Sequence, residues 1–354
     1  MRVVFYWEAA GLSLTRANPY GGLLARALAP LGVEMVPGYA EDLTPDWLRA
    51  HRGEVDVLHL NWPNYMYQSD DPAEAVRRAS DLIANLALAR QVGYRVVWTV
   101  HNLYPHDSAH PELDRLVQTS LCALATAVIA HCEQGRRLVR DHFHRVRDVL
   151  VIPHGHFIEP YPNTLSRAEA RARLGIAPGQ FVYLFFGNVR RYKGIEGVLD
   201  AFRRLEGDDL TLLLAAKVYS EYGDGLVDEA RQADPRVVVC PSRFFANEEF
   251  QVYFGTADAA VLPFLNVLTS GSTITALSFG VPVVVPAIGC LPELVDEAVG
   301  ILYDPAAPDA LFEAMRAIRA RDTAALGRAA LARAQSLGWD GIARQTLVAY
   351  RLPG

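Results

Sequence analysis

Apolar residues fall along this chain in short blocks, and the stretches between the blocks carry helical spacing. In the first half the blocks Val3 to Trp7, Val55 to Leu60, Arg95 to Val100, Ala125 to Ala130 and Val149 to Pro153 read as strands. In the second half Phe181 to Phe186, Leu210 to Ala216, Arg236 to Cys240, Ala259 to Leu262 and Val281 to Val285 do the same. Several of them are apolar almost throughout, as expected of strands covered on both faces in a parallel sheet. Helices are predicted over Leu23 to Leu31, Ala73 to Gln91, Ile195 to Leu205, Glu248 to Thr256, Thr273 to Phe279, Pro308 to Ala320, Ala324 to Gln335 and Trp339 to Arg351. Tyr161 to Ala177 reads as a linker and a helix opened by a capping box, Ser166 with Glu169 three residues on. Strand-helix alternation thus occurs twice, and 354 residues exceed what one core usually supports. The expected architecture is α/β with two doubly wound domains, over residues 1–160 and 161–335, closed by a helix over 336–354.

In open parallel sheets ligands bind beyond the carboxyl ends of the strands, so the strand exits carry the candidate chemistry. Four exits in the first half bear histidine: His59-Leu60-Asn61-Trp62-Pro63, His101 to Asp107, His131-Cys132-Glu133 and His154-Gly155-His156. All ten histidines lie between His51 and His156. A lone histidine is ordinarily a structural hydrogen-bonder, but several at one end of a sheet point to a site. Gly21 and Gly22, ending the turn Ala17 to Gly22, can lie against a phosphate or a sugar, or form a plain loop.

The second half repeats the theme with cations. Arg190, Arg191 and Lys193 stand between a strand and a helix, where positive charge opposes the helix dipole unless an anion is held there. Lys217 ends the next strand and aims the same way if the sheet is parallel. Thr269, Ser270, Gly271 and Ser272 form a polar turn at a helix N-terminus, where free amides and a glycine suit a phosphate. The same residues would equally make an ordinary N-cap.

Bulk properties narrow the choice. A net charge of −6 gives no support to nucleic-acid binding. No apolar run approaches the roughly 18 residues of a membrane span, and the N-terminus looks like a first strand, not a signal peptide. Four cysteines without a C-x-x-C pair suit a reducing compartment and argue against a cysteine zinc site. A cytoplasmic protein is expected. Of 34 basic residues only Lys193 and Lys217 are lysines, which gives these two added weight. Arg136, Arg137, Arg140, Arg145 and Arg147 form a basic helix and turn, normally a solvated face. They can also touch an anionic membrane surface, at the inner face of the membrane, or a pyrophosphate-linked acceptor.

The stretches FFGNVRRYKGIEGVLDAF, ADAAVLPF, ALSFGVPVVVPAIGCLPELV and GILYDPAAPDALFEAM resemble the GT-B glycosyltransferases, specifically the family-four-like group 1 enzymes. WDGIARQTLVAYR is similar to that family's terminal helix, and NPYGG and WTVHNLYPHD to parts of its acceptor domain. The resemblance covers nearly the whole chain and points toward bacterial exopolysaccharide glycosyltransferases. It implies two Rossmann-like domains facing a cleft, with the donor nucleotide in the second and the last helix crossing back to the first. It further implies that Arg190, Arg191, Lys193 and the Thr269–Ser272 turn bind a donor diphosphate. Phe244 and Phe245 would flank the base, and His101 would face the reacting sugar. The family's usual arginine five positions before the loop lysine is Asn188 here. Its pair of glutamates, spaced eight apart, falls on Val267 and Thr275, so Thr275 stands in the ribose position.

The chemistry implied is transfer of a hexose from a GDP- or UDP-linked sugar to a saccharide or lipid-linked saccharide hydroxyl. Cations and a helix N-terminus can stabilise the departing diphosphate without a bound metal, and no D-x-D lies near these loops. No cofactor is expected beyond the nucleotide-sugar substrate. An inverting reaction needs a base, for which Asp107, His106, His131 and Glu133 are candidates. A retaining one needs none, with His101 orienting the donor sugar. Two other readings share the donor site: a GT-B epimerase or hydrolase of a nucleotide sugar, and a catalytically silent binding or scaffold domain.

Overall fold

The computed structural model describes residues 1–7, 11–15 and 18–353. Ala17, at the head of the first turn, lies outside them. The chain divides into two compact units, Met1–Gly155 with Leu337–Gly354, and His156–Ser336.

The first unit is built on six parallel strands: β1 (Arg2–Tyr6), β2 (Glu34–Gly38), β3 (Val57–Leu60), β4 (Arg95–Val100), β5 (Ala127–Ala130) and β6 (Val149–Val151). Their order is β2-β1-β3-β4-β5-β6. The second unit repeats the plan with β7 (Phe181–Asn188), β8 (Leu210–Lys217), β9 (Val237–Ser242), β10 (Ala259–Val261), β11 (Val283–Pro286) and β12 (Gly300–Tyr303). Its order is β12-β11-β10-β7-β8-β9, again all parallel. The central strands carry fully buried runs such as Val182 to Phe185 and Leu212 to Ala215, which is why they read as unbroken apolar blocks. In each sheet the chain starts on an inner strand, winds to one edge, and returns to wind to the other. The reversal falls between β1 and β3 in the first sheet and between β7 and β10 in the second. Crevices at the carboxyl ends of strands beside such a switch point are where ligands bind in open α/β sheets.

The edge strands β2 and β12 are the two that the apolar pattern does not reveal. β2 is largely solvent-facing and holds Pro37, whose missing N–H is tolerated only at an edge. β12 begins at Gly300, where a Cβ would stand 2.1 Å from the Val283 carbonyl oxygen. The first helix runs Tyr20–Leu28, earlier than its periodicity predicts, and passes into a 3₁₀ turn Ala29–Leu31 at Pro30. Gly21 and Gly22 therefore form its first turn and are not a loop ahead of it. Added Cβ atoms would lie 2.1 Å from the Gly11 carbonyl oxygen and 2.8 Å from that of Leu12, so both glycines are required for close backbone packing.

Within the first unit the closing helix Trp339–Arg351 packs on Tyr20–Leu28, burying Trp339, Ile342, Leu347 and Tyr350. Among the described residues no helix is long and apolar enough to cross a membrane.

Candidate functional site

In the second unit the residues beyond β7 and β10 converge at the switch point. Gly187, next to last in β7, has φ of +141°, and after β7 the chain makes a 3₁₀ turn Arg191–Lys193, then enters the helix Ile195–Arg203. After β10, Ser270 caps the helix Gly271–Ser278, its hydroxyl accepting from the Thr273 amide at 3.1 Å and from the Thr273 hydroxyl at 2.9 Å. Lys193 Nζ donates to Ser272 Oγ at 3.3 Å, so the two loops meet through a cation and a hydroxyl. Gly187 lies beside both, a Cβ there falling 3.4 Å from Ser272 Oγ and 3.6 Å from Lys193 Nζ.

Lys193 is buried, 8% exposed, and its amine stands 4.7 Å from the centre of the Phe264 ring. Burial, reinforced by the neighbouring Arg190 charge, lowers its pKa to about 8. The Gly271 and Ser272 amides belong to the first helical turn and have no helical acceptor. A buried ammonium, free amides and a positive helix end together favour a dianionic oxygen ligand.

The other sequence-predicted residues of this unit are placed differently. Arg190 is exposed at the head of the turn, and Arg191 lies over the Tyr222 ring at 4.6 Å. Thr269 is half-buried just before the cap. Thr275 is buried, and its hydroxyl donates to the Gly271 carbonyl at 2.8 Å, inside its own helix. Phe244 is 51% exposed, whereas Phe245 is 2% exposed and set among Phe186 and Tyr253. Of that pair only Phe244 offers a ring face to solvent.

In the first unit the strand exits bring histidines together. The rings of His101 and His131 lie 4.7 Å apart, those of His131 and His154 5.2 Å, and Tyr20 adjoins all three. Trp62 stacks on His101 at 3.9 Å, and Trp339 meets Tyr20 at 5.4 Å. His59 sits apart, bonded to Thr99 Oγ1 at 2.8 Å and to the Tyr350 hydroxyl at 2.7 Å.

Counting protons fixes how the cluster is wired. His131 Nδ1 faces the Ile152 carbonyl at 2.9 Å, which can only accept, so Nδ1 carries the hydrogen. Burial holds His131 near pKa 4 and His101 well below its ordinary value, so both rings are neutral. His131 Nε2 must then accept from His101 Nδ1, 3.2 Å away. That leaves His101 Nε2 as an acceptor, 2.8 Å from the end of the Asn61 side chain. Asn61 therefore turns its NH₂ to the ring, an orientation related to its alternative by a simple amide flip. It also gives a partner to an amide nitrogen that would otherwise be buried without one. Both nitrogens of His101 are thus committed within the first unit.

The remaining base candidates lie outside this network. Glu133 pairs with Arg136 at 2.6 Å in the first turn of the helix Glu133–Phe143. His106 is half-buried and Asp107 exposed, on the loop after β4. Arg136, Arg137, Arg140 and Arg145 line a surface pocket of about 540 Å³. Arg145 is structural, donating to the Cys122, Ala125 and Thr126 carbonyls, while Arg140 pairs with Asp141 at 2.8 Å. Among the described residues no group of three histidine, cysteine, aspartate or glutamate side chains is arranged to hold a metal ion.

Sequence reasoning noted Lys217 at its strand end and Asn61 in a strand exit without giving either a role, and did not single out Tyr20. Lys217 carried a signal in its rarity, and Asn61 stood in a polar-aromatic strand exit. Tyr20 carried none.

Residues 180–320 match the family of glycosyl transferases group 1. The GDP-mannose:glycolipid 4-beta-D-mannosyltransferase of Xanthomonas campestris pv. campestris is 28% identical over 241 residues, 65% of this chain and 61% of that protein. The chain therefore spans less than two thirds of that relative's length. The D-inositol 3-phosphate glycosyltransferase of Nocardiopsis dassonvillei is 27% identical over 289 residues, 76% of this chain and 67% of that protein. Among solved structures, sucrose-phosphate synthase from Thermosynechococcus elongatus superposes with a TM-score of 0.76 at 22% identity, covering 99% of this chain and 98% of that one. Anabaena Alr3699/HepE, in complex with UDP and glucose, gives a TM-score of 0.73 at 18% identity, covering 98% of each chain.

Proposed function

We propose, from the premise that the chain is a group 1 glycosyltransferase of GT-B fold, that it transfers a hexose from a nucleoside-diphosphate sugar to a hydroxyl of a saccharide or lipid-linked saccharide. The observation that carries this reading is the Lys193–Ser272 contact at the start of the helix Gly271–Ser278, beside the φ-positive Gly187. There an ammonium, hydroxyls and two helical amides can take the negative charge that grows on a departing diphosphate. These groups supply that stabilisation without calling on a metal. The named substrates of the relatives support a GDP- or UDP-linked donor: one acts with GDP-mannose on a glycolipid, and another is solved with UDP and glucose.

In this reading exposed Phe244 meets the base, and Thr269 and Ser270 border the phosphate. On the first unit the reading assigns acceptor binding, with the wired cluster around His101 and His131 holding that surface rigid. The loop with His106 and Asp107 then supplies any base that an inverting reaction requires. Exposed Arg137, with Arg136 and Arg140, would meet the anionic part of a lipid-linked acceptor or of a membrane surface.

The test is a thermal-shift panel of UDP, GDP and ADP on the wild type and Lys193→Ala. A ligand bound only by the folded state stabilises it, by about 2.7 kcal/mol at a hundredfold excess over Kd, and so raises the melting temperature. One nucleotide is expected to stabilise the wild type, and the variant to lose that shift. No shift with any of the three would sink the donor site. Nucleotide release that rises only when acceptor is added then separates a transferase from a hydrolase.

A further inference from the structure

Lys217 ends β8 in register with Asn188 at the end of β7 and with Ser242 at the end of β9. It therefore stands at the carboxyl end of the second sheet, one strand away from the turn that carries Lys193. Its amine lies 5.6, 5.7 and 6.0 Å from the ring centres of Phe244, Phe245 and Phe250. Among the described residues it makes no hydrogen bond and no ion pair. The nearest acid felt by it is Glu249, whose carboxylate already accepts from the Ala246 amide at 2.6 Å and the Tyr253 hydroxyl at 3.5 Å. Burial against the aromatic rings lowers its pKa, the Glu249 charge opposing the shift.

Lys217 is half-buried, and its partial desolvation is offset only by three ring faces and the Glu249 field, with no carboxylate in contact. Its register partner Asn188 is neutral, and Arg191, in the turn after β7, lies over the Tyr222 ring. The chain otherwise uses arginine for its basic residues, which fork onto carboxylates and carbonyls throughout the surface. Lysine is instead a compact point charge, suited to a phosphate oxygen approached end-on. The two lysines of the chain both stand at the carboxyl end of the same sheet, Lys217 as the last residue of β8 and Lys193 in the turn that follows the adjacent β7.

We propose that Lys217 is a second cationic ligand of the donor diphosphate, engaging the phosphate next to the nucleoside. Lys193, Ser272 and the helix Gly271–Ser278 hold the other phosphate. Lys217 sits under exposed Phe244, so the same side chain fixes the distance between the base and the first phosphate. This assignment rests on the nucleotide site proposed above, and the experiment separates the two.

UDP and GDP are titrated calorimetrically into the wild type, Lys193→Ala, Lys217→Met, Lys217→Gln and Lys217→Arg, and the melting temperature of each ligand-free protein is recorded. Losing a charged hydrogen bond to phosphate should weaken nucleotide binding about ten- to a hundredfold in Lys217→Met and Lys217→Gln. Lys217→Arg keeps binding within a few-fold of wild type. Ligand-free Lys217→Met melts no lower than wild type, and higher if removal of the unneutralised charge dominates. A purely structural lysine would give the reverse, a lower melting temperature and unaltered affinity in the folded fraction. Wild-type affinity retained in both neutral variants, with loss in Lys193→Ala, overturns the role of Lys217 alone. A wild type that binds neither nucleotide overturns the role together with the donor site.

Discussion

The two units place ionisable groups at equivalent strand ends and treat them in opposite ways. In the first, His59, His101, His131 and His154 are buried, uncharged and bonded to one another or to fixed neighbours such as Thr99, Tyr350, Ile152 and Asn61. In the second, Lys193 is buried and Lys217 half-buried, yet Lys193 has one weak hydroxyl partner and Lys217 only aromatic rings. Both sets have lowered pKa values, so the direction of the shift alone does not distinguish them. Satisfaction does. A neutral ring whose hydrogen bonds are closed within the fold is an element of structure. A cation with its need unmet stores a demand for an anion.

Acid should expose this difference most strongly. His59 and His154 are held near pKa 3 and His131 near 4 by burial, and His101 is also well below the ordinary 6.5. The unfolded chain takes up protons first as pH falls, so stability is complete above about 6.5 and is lost on the way down toward the folded-state values. At pH 5 each such imidazole costs about 2 kcal/mol, the coupled His101–His131 pair titrating as a unit. All five tryptophans, Trp7, Trp47, Trp62, Trp98 and Trp339, belong to the first unit, so their fluorescence reports on that unit. A urea midpoint by tryptophan emission that is the same at pH 7 and pH 5 would refute the neutral, closed cluster.

A smaller effect separates two adjacent residues of the second unit. Phe245→Ala empties a site inside an aromatic core and should cost about 3–5 kcal/mol by thermal unfolding followed by circular dichroism. Phe244→Ala, at the surface, should change stability by no more than about 0.5 kcal/mol while weakening nucleotide binding. Equal destabilisation by the two would remove the distinction between a core ring and a ligand-facing one.

The smallest effect expected concerns the wiring of the histidines. Asn61→Leu leaves His101 Nε2 without a donor and should cost about 1–3 kcal/mol in the tryptophan-monitored transition. If Asn61→Leu is neutral, His101 does not depend on that amide and the proton count given for the cluster fails.

Much of the fold was legible because parallel strands are buried on both faces. β4 and the closing helix Trp339–Arg351 fall where periodicity puts them, and β7 and β8 exceed their apolar blocks only at their polar ends, Asn188 and Lys217. The helix Gly271–Ser278 begins two residues earlier than Thr273, because Ser270 and not Ser272 supplies the cap. Edge strands β2 and β12 escaped because an edge buries one face or less and tolerates proline and glycine. The phosphate-binding character of Lys193 and the Thr269–Ser272 turn could be suspected from residue type, since a cation at a helix start opposes the dipole.

By itself, then, the order of residues determined two α/β windings and the strand ends at which polar groups would gather, because periodicity and burial are properties of local sequence. Only the tertiary structure decided which of those groups meet. It set Lys217 beside Asn188 by strand register, buried Phe245 while exposing Phe244, and turned Arg191 onto Tyr222. It also joined His101 to Asn61 and His131, residues that no spacing along the chain connects. Hydrogen-bond satisfaction depends on neighbours brought from distant strands, and that separates a closed histidine cluster from an open lysine site.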